Sequence, residues 1–389
     1  MYNESMLRGI MNKLKKNTSK NTTIDKTTQT DELYQINPEI FKDLTEYEKM
    51  EIHKYSHIYY YAPNVSKIKT ILDEHANNNH NYDIRARYKC VVGDHIGYRY
   101  QIMDNIGRGS YGDVLLVHDH KYNNKKVIKI IKNDKYYHKQ AKIEIKILNH
   151  INNNDIDKSN NVIHLIKSFI FRNHYCMVFN QMHKDLYYVI QKYYPTGMPT
   201  NIIKSYVVQL IQGLTFLRNN DIMHCDLKPE NIMFVDVDLT RLVIIDFGSS
   251  CFIGDKISTY IQTRWYRSPE VILGYNIINH YIDTWSLGCI IYELYTGKVL
   301  FPGKNELEQI SRFYILLGGP EIKFKHSCKK YSYFNKIPTL KHCYKNNYLD
   351  ELELNNALFK DFLLSFLYWE PYNRITLEDA LKHKWMTIT

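Results

Sequence analysis

The stretch that decides the fold of this chain reads His224-Cys225-Asp226-Leu227-Lys228-Pro229-Glu230-Asn231. Within it, Asp226 can accept or orient a proton, Lys228 can offset negative charge, and Asn231 can bind a metal ion through its amide oxygen. These residue types suit phosphoryl transfer, a reaction in which positioned charge supplies most of the rate enhancement. The interpretation depends on the residues that stand at the right distance on either side.

A second acidic motif, Asp246-Phe247-Gly248, begins 15 residues after Asn231. The apolar run 242–245 before it predicts a short strand that ends at the motif. Such a triplet is usually only a turn, but its distance from the first motif favours a role as a ligand. We therefore predict that Asp246 binds Mg²⁺, a hard cation that prefers carboxylate oxygens.

A glycine-rich run lies upstream and reads Gly107-Arg108-Gly109-Ser110-Tyr111-Gly112, followed by Val114. Glycines let backbone N–H groups approach phosphate oxygens without a Cβ atom in the way. A dinucleotide-binding turn would require a helix to begin at the glycines. Here the apolar residues 114–117 predict that a strand continues instead, and residues 127–131 predict a second strand of the same hairpin.

Lys129 lies in that second strand, 17 residues after Gly112. A lysine within a strand is uncommon unless its ammonium group has a partner. Glu144, between two isoleucines on the predicted helix that follows, is the candidate partner. We predict that this pair holds Lys129 against the α- and β-phosphates of a nucleotide. Without the other motifs, both side chains would be interpreted as solvated.

Three charged residues of the C-terminal half are predicted to be structural. Glu270, in Ser268-Pro269-Glu270, and Arg374 are the expected buried ion pair of the helical lobe. Losing one member would leave the other charge stranded in the interior. Asp283, which opens a run continuing to residue 288, is assigned the same kind of role.

The composition favours a globular protein and excludes several classes. Hydrophobic residues make up 44% and charged residues 24% of the chain, and no apolar run approaches the ~20 residues that cross a bilayer. The net charge of +10 favours acidic partners, but no nucleic-acid-binding motif accompanies it, so we expect no specific nucleic acid. Seven scattered cysteines without CxxC spacing argue against a disulfide framework or a zinc site. We expect reduced thiols in the cytoplasm, the nucleus or both.

Changes in composition divide the chain into three predicted regions. Residues 1–32 are expected to be a disordered basic tail, and residues 33–98 an accessory region that folds or docks. Residues 99–385 begin with strand patterns and one helix, and continue with helical periodicity over 202–217, 284–295, 356–368 and 376–382. The sequence therefore predicts an α+β fold with two lobes, a small antiparallel sheet with one main helix and a larger helical lobe.

In this order, the motifs resemble those of a eukaryotic-type protein kinase over residues 99–385. Within that superfamily the chain is similar to the DYRK family of dual-specificity tyrosine-regulated kinases. The resemblance lies in His224-Cys225-Asp226, Asp246-Phe247-Gly248-Ser249-Ser250-Cys251, Tyr260-Ile261-Gln262-Thr263-Arg264-Trp265-Tyr266-Arg267-Ser268-Pro269-Glu270, Asn161-Val162-Ile163-His164 and Phe171-Arg172-Asn173-His174. The last two stretches resemble the class II branch. Residues 44–48 and 94–100 resemble the N-terminal accessory region of that branch.

The resemblance implies ATP and Mg²⁺ as cofactors and assigns residues to them. Catalysis is assigned to Lys129, Glu144, Asp226 and Lys228, and metal binding to Asn231 and Asp246. Nucleotide contacts are assigned to Ile106, Gly107, Arg108, Gly109, Ser110, Tyr111, Gly112, Val114, Lys129, Phe179, Asn180, Met182 and Asp185. In this assignment backbone groups near Asn180 and Met182 read adenine, and Asp185 can hydrogen-bond the ribose.

The resemblance also implies a regulatory tyrosine, which aligns with Tyr260. Kinases of this family phosphorylate that tyrosine on themselves and then act on Ser and Thr of other proteins. A phosphate there would carry nearly two negative charges and recruit Arg264 and Arg267. Most kinases have an arginine before the catalytic aspartate as a phosphate anchor. Cys225 cannot take that role, so the anchors are expected within the segment itself.

The chain departs from the family pattern at three places. Ser258-Thr259-Tyr260 keeps only the second tyrosine of the usual Tyr-x-Tyr pair, and Asn180 replaces a glutamate. Tyr188 replaces a carboxylate that helps the family read arginine upstream of the phosphorylated residue. Glu230, the other residue expected to read the substrate, is present. The resemblance implies substrates that are proteins with Ser or Thr followed by proline, while Tyr188 leaves a preference for arginine open.

Two other classes of protein compete with this interpretation. A MAP kinase-like enzyme activated by an upstream kinase would also fit residues 258–267, and a pseudokinase would act as a scaffold. A smaller hypothesis concerns Asp25-Lys26-Thr27-Thr28-Gln29-Thr30, which resembles the extended peptides that dynein light chain binds by adding a strand to its sheet.

Overall fold

The computed structural model describes residues 38–67, 85–255, 261–341 and 356–388. Tyr260 and the segment 25–30 lie outside these residues. Within the described ranges, no helix combines the length and the apolar character that a membrane crossing needs.

The first described elements are a 3₁₀ turn, Pro38–Lys42, and helix α1, Glu46–Glu51. Thr45 and Glu48 form a capping box at the start of α1, because each side chain accepts the backbone N–H of the other. The distances are 3.3 Å to Thr45 Oγ1 and 3.0 Å to Glu48 Oε2. This cap fixes α1 so that its two buried acids, Glu48 and Glu51, face the domain that follows.

The N-terminal lobe is an antiparallel sheet with strand order β1-β2-β3-β4-β6-β5. Its strands are β1 His95–Ile96, β2 Tyr100–Arg108, β3 Gly112–Asp119, β4 Asn124–Ile131, β5 Lys167–Phe171 and β6 His174–Asn180. Strands β3 and β4 pair from Gly112 opposite Ile131 to Asp119 opposite Asn124, which is the predicted hairpin. The side chains of one face form an apolar core that includes Ile102, Leu115 and Val178.

Helix α2, Lys135–Asn154, is the one long helix between β4 and β5. Asp134 caps it, accepting the backbone N–H of Tyr136 at 2.8 Å. Its buried residues, Ala141, Glu144, Ile147, Leu148 and Ile151, fall at helical spacing, so one face packs inward and carries Glu144 with it.

The C-terminal lobe is helical. It contains α3 Leu186–Tyr193, α4 Thr200–Asn219, α5 Pro269–Leu273, α6 Tyr281–Thr296, α7 Glu306–Leu317, α8 Ile322–His326, α9 Ser332–Lys341, α10 Ala357–Ser365, α11 Leu377–Lys382 and α12 Lys384–Thr387. It also contains two short antiparallel strand pairs, β7 Ile222–Met223 with β10 Cys251–Phe252, and β8 Ile232–Phe234 with β9 Leu242–Ile244. The predicted bilobal α+β fold is confirmed.

Two helix boundaries differ by three residues from the predicted ones, and the others differ by no more than two. Helix α6 begins at Tyr281 rather than at residue 284, because Ile282 and Asp283 are also buried in the helical lobe. Helix α10 ends at Ser365 rather than at residue 368, and the 3₁₀ turn Pro371–Asn373 follows soon after. Apolar residues continue past the end of α10, so periodicity alone extended the predicted helix too far.

Candidate active site

The glycine-rich run forms the turn between β2 and β3. Gly107 lies opposite Val114 and Arg108 opposite Asp113 in the ladder, and Gly109 N donates to Gly112 O at 2.9 Å. A Cβ atom on Gly112 would lie 2.0 Å from the carbonyl oxygen of Ile130, so only glycine fits there. The turn therefore carries the predicted nucleotide-contacting residues Ile106, Gly107, Arg108, Gly109, Ser110, Tyr111, Gly112 and Val114.

Arg87 braces this turn from outside the run. Its guanidinium donates to Gly109 O at 2.7 Å, to Gly112 O at 3.1 Å and to Asp113 Oδ1 at 2.5 Å. The sequence analysis did not identify Arg87, because 22 to 26 residues separate it from its partners and no spacing rule joins them.

Lys129, Glu144 and Asp246 meet between the lobes. Lys129 Nζ lies 2.6 Å from Glu144 Oε1 and 2.7 Å from Asp246 Oδ1. Strand β4 supplies the lysine, α2 the glutamate, and the turn after β9 the aspartate. The Asp246 side chain remains 41% exposed, whereas only 14% of the Lys129 side chain is exposed. A carboxylate oxygen is thus left open to the cleft, where a cation could bind it.

These three charges set one another's pKa. The ammonium of Lys129 lowers the pKa of Asp246 to about 2. Burial lowers the pKa of Lys129, but the carboxylates of Asp246 and Glu144 more than offset this, and the net pKa is raised. Burial raises the pKa of Glu144, and Lys129 opposes that change. Lys129 is therefore a fixed cation and Asp246 a fixed anion near neutral pH.

Residues of the stretch 224–231, called the catalytic loop below, converge with Thr263 around the Asp226 carboxylate. Oδ1 accepts both the backbone N–H and the hydroxyl of Thr263 at 2.8 Å, while Lys228 Nζ lies 3.0 Å from Oδ2. Asn231 Nδ2 donates to the backbone oxygen of Asp226 at 2.8 Å and to Oδ2 at 3.2 Å. Because the amide nitrogen of Asn231 is engaged in this way, its oxygen is the end available to a metal ion.

Thr263 is the second residue without a role in the sequence analysis. Its hydroxyl also accepts a hydrogen bond from Lys228 Nζ at 3.0 Å, so it ties both charged groups to the segment after Tyr260. The only sequence signal was its position within the stretch 260–270.

Asp283 fixes the backbone at the start of the catalytic loop. Its carboxylate accepts the backbone N–H of His224 at 2.7 Å and that of Cys225 at 3.0 Å. Cys225 has a φ of +64°, and Asp246 a φ of +62°. Non-glycine residues rarely adopt this conformation unless the surrounding contacts impose it. The pKa of Asp283 is raised by burial, although His224 and the two N–H donors offset part of this change.

The residues assigned to adenine and ribose lie where β6 leads into α3. Phe179 is buried, and the Asn180 side chain accepts a hydrogen bond from Lys126 at 2.8 Å. Met182 packs against the large apolar core. Asp185 is the N-cap of α3 and accepts the Tyr188 N–H at 2.7 Å, so that one of its oxygens already has a partner.

The two predicted phosphate anchors have other partners. Arg267 is buried and donates to the Gln262 carbonyl through Nε at 3.1 Å and Nη2 at 2.7 Å, with Nη1 3.3 Å from Glu306 Oε1. Arg264 Nη1 donates to Lys304 O at 2.8 Å. Gln262 has a φ of +62°. Tyr260 lies outside the described residues, so its position relative to these arginines is not part of this geometry.

The remaining assigned residues are structural or lie at the rim. Arg374 Nη1 and Nη2 lie 2.7 Å and 2.6 Å from the two oxygens of Glu270, and both side chains are fully buried. Glu230 is exposed on the 3₁₀ turn Pro229–Asn231, against which α3 packs. On α3, Tyr188 accepts a hydrogen bond from Lys192 Nζ at 2.7 Å, and Lys184 Nζ lies 4.7 Å from its ring centre.

Comparisons with known proteins agree with this geometry. The family model of the protein kinase domain matches residues 100–386. The dual specificity tyrosine-phosphorylation-regulated kinase 3 of Macaca fascicularis is 38% identical over 373 residues, which cover 88% of this chain and 65% of that protein. The dual specificity tyrosine-phosphorylation-regulated kinase 4 of Homo sapiens is 38% identical over 361 residues, which cover 89% of this chain and 69% of that protein.

A fungal kinase is similar to this chain at about the same level of identity. The DYRK-family kinase pom1 of Schizosaccharomyces pombe is 39% identical over 357 residues, which cover 88% of this chain but 33% of that protein. The match thus spans slightly less than two thirds of the Macaca fascicularis kinase, at 65% of its length, and a much smaller part of the fungal one.

Proposed function

The chain belongs to the DYRK family of protein kinases, and from this premise we propose that it transfers the γ-phosphoryl group of ATP to Ser and Thr of proteins and to its own Tyr260. The observation that carries the proposal is the meeting of Lys129, Glu144 and Asp246 beside the Asp226 loop. A scaffold would not need all of these charges in place, which disfavours the pseudokinase alternative.

Magnesium-bound ATP supplies the phosphoryl group and the cation that offsets its charge. On the protein side, the glycine-rich turn 107–112, in which the Gly109 N–H already donates to Gly112 O, would enclose the phosphates, and the Lys129 ammonium would bind them. Asp246 and the amide oxygen of Asn231 are hard ligands that fit Mg²⁺. Glu144 fixes Lys129 in the place from which it reaches the nucleotide.

Asp226 orients and accepts the proton of the substrate hydroxyl. Thr263 fixes one carboxylate oxygen of Asp226 with two hydrogen bonds, and Asn231 and Lys228 flank the other. The carboxylate is therefore held in one orientation before the substrate arrives, which reduces the reorganisation that the reaction requires. Lys228 stays close enough to offset negative charge on the phosphoryl group in transfer.

The contacts of Gln262 support the proposed preference for proline after the phosphorylated residue. Its backbone carbonyl faces Arg267 and accepts two hydrogen bonds from the guanidinium. That oxygen is then not free for the N–H of a peptide residue that passes the segment 262–267. Proline has no N–H to leave unsatisfied, so it fits this position better than other residues.

Two pairs of variants test the activity. Asp226→Ala and Lys129→Arg should each lower kcat/KM on a Ser-Pro peptide by at least about 100-fold, since each removes a positioned group. The matched controls Asp157→Ala and Lys125→Arg alter exposed residues and should retain activity. Full activity of either active-site variant, in protein whose melting temperature is unchanged, would contradict the assignment.

Self-phosphorylation is tested separately from activity. Protein produced in bacteria, which supplies no upstream kinase of this type, should carry a phosphate on Tyr260 by peptide mass spectrometry, and the Asp226→Ala variant should not. Active protein with unmodified Tyr260 would favour the MAP kinase-like alternative. Calorimetry of a peptide spanning residues 22–34 against dynein light chain tests the further proposal that residues 25–30 bind that partner, and the absence of heat at micromolar concentrations would exclude it.

A further inference from the structure

A groove of about 440 Å³ lies on the outer side of α2, between that helix and β10. We define the α2 groove by Lys142, Lys146, Asn149, His150 and Phe252. It is separate from the site described above, because Glu144 and its partner Lys129 lie on the inward face of the same helix.

The α2 groove is cationic. Lys142 and Lys146 are exposed, and within the described ranges neither forms an ion pair with a carboxylate. The only acid on α2 is Glu144, which is buried against Lys129. Asp255, the acid that follows Phe252 on the same segment, accepts the Phe252 N–H at 3.3 Å. Neither lysine forms an ion pair with Asp255 or with another acid in the described ranges, so both positive charges are open to an acidic partner.

The side chains of the α2 groove are arranged at a regular spacing. Lys142, Lys146 and His150 follow one another at intervals of four residues, which on a helix corresponds to about 6 Å along the axis. In an extended peptide, side chains on one face repeat about every 6.7 Å. An extended segment with acidic residues at alternate positions can therefore place one acid near each of these side chains.

The aromatic ring of Phe252 gives the groove an apolar surface. Lys146 Nζ lies 5.0 Å from the centre of the Phe252 ring, and the His150 ring meets it edge to face at 5.4 Å. Because His150 and Lys146 already lie against this ring, it offers little open surface for stacking a nucleotide base. An apolar side chain between the acids of a peptide can still contact its edge.

From this charge complementarity we propose that the α2 groove binds an extended acidic segment of a partner protein, with acidic and apolar residues in alternation. Such a segment would contact α2 and β10 together. Since α2 carries Glu144 and β10 follows Asp246 by five residues, the bound segment would stabilise the helix position in which Lys129 meets both acids. The groove is thereby a docking site outside the catalytic cleft.

Fluorescence anisotropy with the full chain tests the proposal. The probe is a fluorescein-labelled peptide that alternates glutamate with leucine and phenylalanine, and its control replaces every glutamate with glutamine. We expect the glutamate peptide to bind at micromolar concentrations and the glutamine peptide not to bind. The double variant Lys142→Glu/Lys146→Glu should weaken binding at least about tenfold.

The double variant Lys125→Glu/Lys323→Glu changes the net charge equally at exposed sites elsewhere and should bind as the unaltered protein does. If charge reversal on α2 impairs folding, Lys142→Gln/Lys146→Gln replaces it and should also weaken binding. Equal loss in the groove and control variants, or no binding up to millimolar peptide, would overturn the proposal. So would tighter, lysine-dependent binding of a uridine oligonucleotide of equal charge, which would assign the surface to nucleic acid.

Discussion

Asp283 accepts the backbone N–H of Cys225 at 3.0 Å, and Cys225 holds a φ of +64° directly before Asp226. The buried carboxylate thereby stabilises a backbone conformation that costs about 1–3 kcal/mol in most contexts. Asp283→Asn would turn an N–H₂ group toward one of two buried donors. We expect kcat to fall about 10- to 100-fold, because small displacements of a catalytic group have effects of this size.

Single-turnover measurements of phosphoryl transfer check this prediction, with melting temperature as the fold control. Asp283 is a positioning residue, so KM for ATP should change much less than kcat. An Asp283→Asn enzyme with unaltered kcat would show that the loop keeps its conformation without the two hydrogen bonds.

The buried pair of Glu270 and Arg374 predicts a large loss of stability. Both side chains are fully buried, with two N–O contacts of 2.6 and 2.7 Å. Arg374→Leu leaves the carboxylate unpaired, and we expect the free energy of unfolding to decrease by about 3–5 kcal/mol. Arg218→Ala, which breaks a partly exposed pair with Glu378, should lose no more than about 1 kcal/mol. Urea unfolding of both variants measures the contrast, and equal losses would contradict it.

The buried carboxyl group of Glu293 is expected to make the free energy of unfolding depend on pH. It is buried on α6, where one carboxylate oxygen accepts the Tyr266 hydroxyl at 2.6 Å and the other has no partner in the described part of the chain. Burial raises its pKa from 4.5 to about 7. Because the folded protein then holds the proton more tightly than the unfolded chain does, the stabilisation is full below about pH 4.5 and is lost as the pH rises through 7.

Glu293→Gln keeps an acceptor for Tyr266 but cannot ionise. Relative to the unaltered protein, this variant should gain up to about 3 kcal/mol of unfolding free energy between pH 5 and pH 8. Urea unfolding at the two pH values provides the measurement. A pH-independent difference between the two proteins would mean that Glu293 does not titrate in this range.

The surroundings of Tyr188 predict that this protein does not prefer arginine upstream of the phosphorylated residue. Lys184 and Lys192 surround its phenol, and the hydrogen bond from Lys192 lowers the pKa of Tyr188. At a position where the family carries a carboxylate, this chain therefore presents positive charge. We expect no preference for arginine upstream of the phosphorylated residue. Tyr188→Asp should raise the relative rate on arginine-containing peptides about two- to fivefold.

A degenerate-peptide kinase assay reads out this preference. Tyr187→Asp adds the same charge one residue earlier, on another side of the helix, and should leave the preference unchanged. Arginine selection by the unaltered protein would refute the prediction.

The sequence predicted those features that depend on short spacing. Glycines at 107, 109 and 112 specify a turn, and the hairpin that follows brings Lys129, on its second strand, into the same sheet. The pair of Lys129 and Glu144 was accessible because an isolated lysine in a strand and an isolated acid on the next helix each need a partner.

Other features depend on contacts between distant parts of the chain. Arg87 reaches the glycine turn, and Thr263 reaches Asp226 across 37 residues. No periodicity joins such positions, since the packing of whole elements brings them together. The positive φ of Gln262 could not be predicted from the sequence either, because glutamine is not a residue type that is enriched in this conformation.

The ion pairs between α1 and the N-terminal lobe show that the folded domain begins before the residue at which the family match begins. Arg172, in the turn between β5 and β6, meets Glu48 at 3.1 Å and Glu51 at 2.9 Å, and all three side chains are almost fully buried. The family match begins at residue 100, so a protein cut there would keep the buried guanidinium and lose both counter-ions. Residues 38–67 therefore belong to the folding unit of the small lobe, because α1 supplies the two carboxylates that neutralise its buried guanidinium.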